Sequence, residues 1–220
     1  VGRALGSAAP TLQLTGIVEC RLTRGDMRIG IVSDVHGNAA GLATALARMG
    51  DVDEVLCVGD VVEDFRFSND AVSLLRDRGA RCVKGNHDTG VFAPHASRVR
   101  EAPHVRSGHL SWLAEQPLLI EATIGGKKLV MTHASPFAPH NQYVFPHSPE
   151  LKRFADVDAD YVVIGHTHAQ MVQRVGTTLV INPGSVGQAV DHRNGRQLSY
   201  AVLDTSTDEV VFDDYMIANT

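Results

Sequence analysis

From Met27 onward, short β-branched apolar runs alternate with stretches of helical spacing, a pattern that predicts strands and helices stacked in layers. Residues 28–33 read as a first strand. Leu42, Ala45, Leu46 and Met49 then recur at helical spacing, which predicts a helix over 38–49 with Asn38 as its N-cap and Gly50 just past its end. A second strand is expected at 54–58, a second helix at 67–78 closed by Gly79, and a third strand at 81–84. Such strand–helix–strand units are parallel crossovers.

The second half changes character. Residues 118–124 and 127–132 flank Gly125-Gly126, a dipeptide suited to the positive φ angles of a tight hairpin. Runs at 161–164, 178–181, 198–203 and 209–215 follow with little helix between them, which favours two sheets packed face to face over one doubly wound sheet. The predicted fold class is α/β, a two-sheet αββα sandwich of mixed strands flanked by helices. Residues 91–116 read as helical around Trp112, and 134–149, with Pro136, Pro139, Pro146 and Pro149, as loop.

Composition narrows the picture. A chain of 220 residues with 44% hydrophobic content has material for one substantial core, so a single domain is expected over 27–220. Residues 1–26 lack the compact apolar stretch of a signal peptide and read as a disordered extension or a leader. A net charge of −5 offers no positive field for a nucleic acid polymer or an anionic membrane. No apolar run nears the roughly 20 residues that span a bilayer. Three cysteines make no disulfide framework, and Cys57 and Cys82 sit in strand runs as reduced thiols, so a cytoplasmic setting is expected.

Five apolar runs end on residues that can hold a metal, and in α/β sheets ligands collect at the carboxyl ends of strands. The ends are Asp34-Val35-His36, Gly59-Asp60, Gly85-Asn86-His87-Asp88, Thr132-His133 and Gly165-His166-Thr167-His168. Singly, each has an ordinary use: Asp34 and Asp60 as turn caps, Asn86 as a turn residue, His133 as a core histidine. Together they point to a metal cleft. Oxygen and imidazole ligands without thiolate suit Mn, Fe, Ni, Co or Zn, and the set exceeds what one tetrahedral ion uses, so two divalent ions are expected. Gly37, Gly59, Gly85 and Gly165 are read as permitting unusual dihedrals and close approach. His95, His104, His109 and His192 are taken as surface or supporting groups, while His140 and His147 lie in the loop after His133, within reach of a substrate phosphate.

At these residues the chain resembles the calcineurin-like metallophosphoesterase superfamily, whose blocks run Asp-x-His, Gly-Asp, Gly-Asn-His-acid, His and Gly-His-x-His in that order. It is most similar to the small uncapped bacterial and archaeal phosphodiesterase branch, because Asn182-Pro183-Gly184-Ser185-Val186-Gly187 follows the last block. The resemblance implies Asp34, His36 and His168 on one ion, Asn86, His133 and His166 on the other, and Asp60 bridging both. It implies manganese first among the metals, a metal-bridging hydroxide as nucleophile, and His87 as general acid. The substrates implied are small phosphate esters, diesters ahead of monoesters.

Glu63 stands three residues after Asp60, where related protein phosphatases carry an acid that orients the catalytic histidine. It is therefore expected to pair with His87, and Asp88 to support the site. Ala134 replaces a common Gly, and Ala189-Val190 replaces a common Pro-Arg, with Arg193 and Arg196 further on. Two alternatives use the same fold: a protein-binding scaffold like the retromer small subunit, and a phosphomonoesterase or dinucleoside polyphosphate hydrolase. A double-strand-break-repair type nuclease would need a capping domain and a basic surface that this chain lacks. The short span between His133 and His166 leaves no room for a large cap, which predicts an open cleft accepting diverse esters. A homo-oligomer is compatible with all of this.

Overall fold

The computed structural model of the protein describes residues 25–139, 141–190 and 197–217. β1 (Arg28–Val32), β2 (Glu54–Cys57) and β3 (Arg81–Cys82) run parallel, with α1 (Ala39–Arg48) and α2 (Asn69–Asp77) as the two crossovers. Asn38 caps α1 by accepting from the Gly41 N–H, as its position predicted. Ser68 caps α2 in the same way through the Ala71 N–H. That cap starts α2 two residues later than expected and leaves Phe67 as a buried core side chain outside the helix. β9 (Leu198–Asp204) and β10 (Glu209–Tyr215) add antiparallel strands, giving the order β10-β9-β1-β2-β3.

The second sheet has the order β4-β5-β6-β8-β7. β4 (Leu119–Ile124) and β5 (Lys127–Thr132) form the expected hairpin, with φ of 56° at Gly125 and 77° at Gly126. β5, β6 (Tyr161–Val163) and β8 (Thr178–Asn182) run parallel, and β7 (Met171–Val175) is an antiparallel edge. β7 was not legible in the sequence, because Gln173 and Arg174 dilute the apolar signal of a strand that buries one face only.

Three apolar layers hold these parts together. Ile31, Leu56, Met131, Val163, Ile181 and Leu203 fill the space between the sheets. Leu42, Ala45, Leu75 and Leu113 seal the helices against the first sheet, and Phe154, Val162 and Val180 close the far side of the second. The far layer is thinner than the predicted sandwich required. It consists of the 3-10 helix Pro149–Asp156, which seats Leu151 and Phe154, together with the loop before it. The helix expected over 91–116 is broken into a 3-10 turn (Pro94–Ala96), then α4 (Ser97–Arg100) and α5 (Ser107–Glu115), with Pro94 and Pro103 at the interruptions. α3 (Asn86–Gly90) is a further short helix.

Cys57 and Cys82 are registered neighbours on β2 and β3, both buried and both free thiols, and burial pushes the Cys82 thiol well up. Among the described residues, no helix is long and apolar enough to cross a membrane. Residues 1–24, His140, His192, Arg193 and Arg196, singled out above from the sequence, lie outside the described residues.

Candidate metal centre

The carboxyl ends of β1, β2 and β3 meet those of β5 and β6 because the strand-end loops are hydrogen-bonded to one another. Asp34 N–H donates to Gly59 O, His36 N–H to Asp60 O, and Gly165 N–H to His133 O. His133 crosses between sheets, with Nδ1 2.6 Å from Val58 O. Five predicted ligands adopt the left-handed region: Asp34 (φ 53°), His36 (48°), Asp60 (51°), His166 (67°) and His168 (55°). Asp208 is the one other non-glycine among the described residues with positive φ. Each such residue costs on the order of 1 kcal/mol, so the strain is concentrated where the side chains must be aimed inward.

This corrects the expected use of two glycines. Gly85 has φ of −89°, and Gly165 is not among the positive-φ glycines, so neither supplies an unusual dihedral. Their role is close approach: a Cβ on Gly85 would lie 2.0 Å from Asp60 Oδ1, and one on Gly165 2.1 Å from the Ser33 hydroxyl. Gly59 and Gly37 do have positive φ.

The side chains gather in two clusters, Asp34 with His36 and His168, and Asp60 with His133 and His166, linked by a third group of His36, Asp60 and His87, with Glu63, Asp64 and His87 as a fourth at the edge. Asp60 Oδ2 is 3.1 Å from His133 Nε2 and 3.9 Å from His36 Nε2, so this carboxylate reaches both. His168 Nε2 lies 3.2 Å from Asp34 Oδ1 and 3.0 Å from His36 Nε2. Two imidazole nitrogens so close cannot both be unprotonated acceptors without repulsion. The distance is what two ligands each about 2.1 Å from one ion, at a right angle, would have.

The outer nitrogens are anchored. His133 Nδ1 donates to Val58 O, and His168 Nδ1, at 3.2 Å, to Gln188 O. His36 Nδ1 lies 3.0 Å from Glu63 Oε1, close but not well aligned for a hydrogen bond. Each contact turns Nε2 inward, the arrangement found around metal-ligating histidines. Asn86 Oδ1 and His166 Nε2 are buried without a hydrogen-bond partner, and beside them Asp34 Oδ1 and His133 Nε2 meet only other ligand-type groups, His168 and Asp60. An unpaired buried polar atom costs about 1–3 kcal/mol, and such atoms among clustered carboxylates and imidazoles on adjacent strand ends suit a cation. The donor set, carboxylate, amide and imidazole with no thiolate, fits hard or borderline divalent ions.

Electrostatics follow the same geometry. Burial would raise the Asp34 carboxyl, but hydrogen bonding and charge from His168, with His133 and Ser33, hold it well below the usual range. Burial lowers His133, yet the Asp60 and Asp34 carboxylates outweigh it and raise the imidazole to about 10. Burial and the neighbouring His133 charge push His166 down to about 4. Without metal, His133 therefore carries a proton that a cation must displace.

His87 stands at the edge, a third exposed, its backbone N–H donating to Asp60 Oδ1 at 2.9 Å. Its Nδ1 faces two carboxylates at 3.3 Å, Glu63 and Asp64. Glu63 meets His87 as the sequence led us to expect, but it also contacts His36 and accepts from Gln188 Nε2 at 2.7 Å. Asp88 is fully buried and accepts from Val62 N–H and Gly85 N–H, so it braces the loops that carry Asp60 and Asn86. Burial and the nearby Asp60 charge raise its carboxyl to about 6.

Several contributors went unrecognised in the sequence. Ser33 Oγ donates to Asp34 Oδ2, Ser185 Oγ donates to Asp34 O, and Asn182 Nδ2 donates to Gly165 O and Thr167 Oγ1. The Asn182–Gly187 stretch thus clamps the Asp34 and His166 turns together. Tyr143 stacks on His166, ring centroids 3.9 Å apart. His147 is exposed in the same loop and stacks on Phe145. His109 is buried, 3.2 Å from Asn69 Oδ1 and far from these clusters in the sequence.

Residues 27–208 match the family model described as the calcineurin-like phosphoesterase superfamily domain. The chain is 29% identical over 205 residues to an uncharacterized protein of Methanocaldococcus jannaschii, covering 80% of this chain and 82% of that one. It superposes on a metallophosphoesterase from Sphaerobacter thermophilus with a TM-score of 0.72 at 25% identity, covering 88% of this chain and 90% of the other. A structure described as a novel archaeal phosphodiesterase shares the fold, with a TM-score of 0.56, 22% identity, and coverage of 86% and 100%.

Proposed function

The chain belongs to the calcineurin-like phosphoesterase superfamily, and from that premise we propose that it is a dinuclear-metal hydrolase of small phosphate esters, diesters ahead of monoesters. The observation that carries this reading is the set of buried, unpartnered donor atoms on residues of neighbouring strand ends, with Asp60 reaching both clusters. Asp34, His36 and His168 would hold one ion, Asn86, His133 and His166 the other, and Asp60 both. When bound, such ions clamp phosphate oxygens and bring the pKa of a water toward neutrality.

The remaining work falls to this chain's own groups. Glu63 and Asp64 fix the His87 ring through Nδ1, which leaves Nε2 as the nitrogen that delivers a proton to the departing oxygen. Gln188 and Glu63 tie that pair to His168 and His36, so proton donor and ligands share one frame. Manganese is the metal we favour, on the family resemblance, and the mixed carboxylate, amide and imidazole donor set without thiolate is compatible with it.

Hydrolysis of bis-p-nitrophenyl phosphate tests the reading. Turnover with added Mn²⁺, abolished by chelation and restored by a divalent ion, is the expected result. No turnover with Mn, Fe, Co, Ni or Zn would refute it in favour of a binding scaffold.

A further inference from the structure

The loop between His133 and His166 is short, but it does not leave the cleft featureless. It carries Tyr143, Phe145 and His147, whose rings form a nearly parallel row starting at the metal cluster. Tyr143 lies on the His166 imidazole at 3.9 Å, Phe145 follows at 6.4 Å with an interplanar angle of 9°, and His147 at 5.9 Å with 16°. Tyr143 is 58% exposed, although a large aromatic normally buries most of its surface, while Phe145 is half-buried and His147 exposed. Beside it, Gln142 keeps a buried Oε1 without a hydrogen-bond partner.

An exposed row of flat rings has a structural cost that packing does not recover, since Tyr143 contributes little to any core. What it offers is a face for another flat ring. Because Tyr143 lies 3.9 Å from His166, a ring laid on its free face would be one stacking distance further from that cluster, a span the sugar of a nucleotide bridges.

From this geometry we infer that Tyr143 and Phe145 form a stacking shelf for the nucleobase of a nucleotide substrate, whose phosphate lies at the His133–His166 cluster. The inference rests on the phosphoesterase reading and narrows it to nucleoside phosphates. A polymer is not the favoured occupant, because the net charge of −5 gives no positive track for a backbone. One base stacks, one phosphate binds, and the remainder of the ligand projects into solvent.

Adenosine 5′-monophosphate and ribose 5-phosphate are the probes, since they share sugar and phosphate and differ in the base alone. Both are used as competitive inhibitors of bis-p-nitrophenyl phosphate hydrolysis by the Mn²⁺-loaded enzyme. The nucleotide is expected to bind about tenfold tighter, the scale of one base–aromatic stack. Tyr143→Ala should bring that ratio close to one, while Tyr143→Phe keeps it. A role limited to holding His166 in place would weaken both inhibitors together and leave the ratio unchanged, which would overturn the shelf. A wild-type ratio near one would overturn it too. Failure of both compounds to inhibit would overturn the shelf as well, whereas absence of bis-p-nitrophenyl phosphate hydrolysis itself would sink the phosphoesterase reading on which the shelf rests.

Discussion

Asp60→Asn is expected to lower phosphodiester turnover at least about a thousandfold, because it removes a carboxylate that lies 3.1 Å from His133 and 3.9 Å from His36 and is the proposed bridge between the two ions. Loss of several kcal/mol of transition-state charge stabilisation corresponds to a drop of that size. The amide can still accept from the His87 backbone N–H, so the α3 turn has a partner and gross misfolding is not the expected cause. The diagnostic readout is the thermal midpoint with and without Mn²⁺. Wild-type protein should gain stability on loading, as any ligand of the folded state confers, and the variant should lose most of that gain. A variant with wild-type turnover would remove Asp60 from the centre.

His87→Ala is expected to lower kcat by about 100- to 10,000-fold, the range for loss of a general acid, while metal content stays as in the wild type. The two changes therefore separate chemistry from metal binding. His87 is a third exposed and is not one of the ligands assigned to either proposed ion, but its ring has metal-ligand spacing to His36 and Asp60, so metal content is the readout that separates a proton donor from a ligand. Its Nδ1 contacts with Glu63 and Asp64 are lost, which leaves two carboxylates facing each other across a small gap. Metal content falling in parallel with kcat would contradict the assignment of His87 as proton donor.

Much of this was legible from the chain because strand ends are local features. Asp34, His36, Asp60, Asn86, His87, His133, His166 and His168 each follow an apolar run directly, and the structure draws the runs into two sheets whose ends meet. α1 and the β4–β5 hairpin were readable for similar reasons, an Asn cap and a Gly-Gly turn acting within a few residues. What escaped depends on distant partners. β7 pairs edge to edge with β8, turns Met171 and Val175 into the outer apolar layer and shows a weak apolar pattern, so its identity comes from pairing. The proline-rich loop was recognisable as loop, yet nothing in its spacing placed Tyr143 on His166. Gly85 and Gly165 carried a visible signal read as unusual backbone angles and close approach; only the close approach is found, and it is Asp60 and Ser33 beside Asp34 that come near. Glu63 was found through its spacing to Asp60, but its contact with His36 depends on the third dimension.

The most direct test of the central claim is a calorimetric titration of Mn²⁺ into chelator-stripped protein near neutral pH, run in two buffers of different ionisation enthalpy. Two ions per chain are predicted, with net proton release, because the Asp60 and Asp34 carboxylates hold His133 protonated up to about 10 until a cation takes its Nε2. Binding of one ion or none, or a heat independent of the buffer, would contradict a dinuclear centre built on these residues.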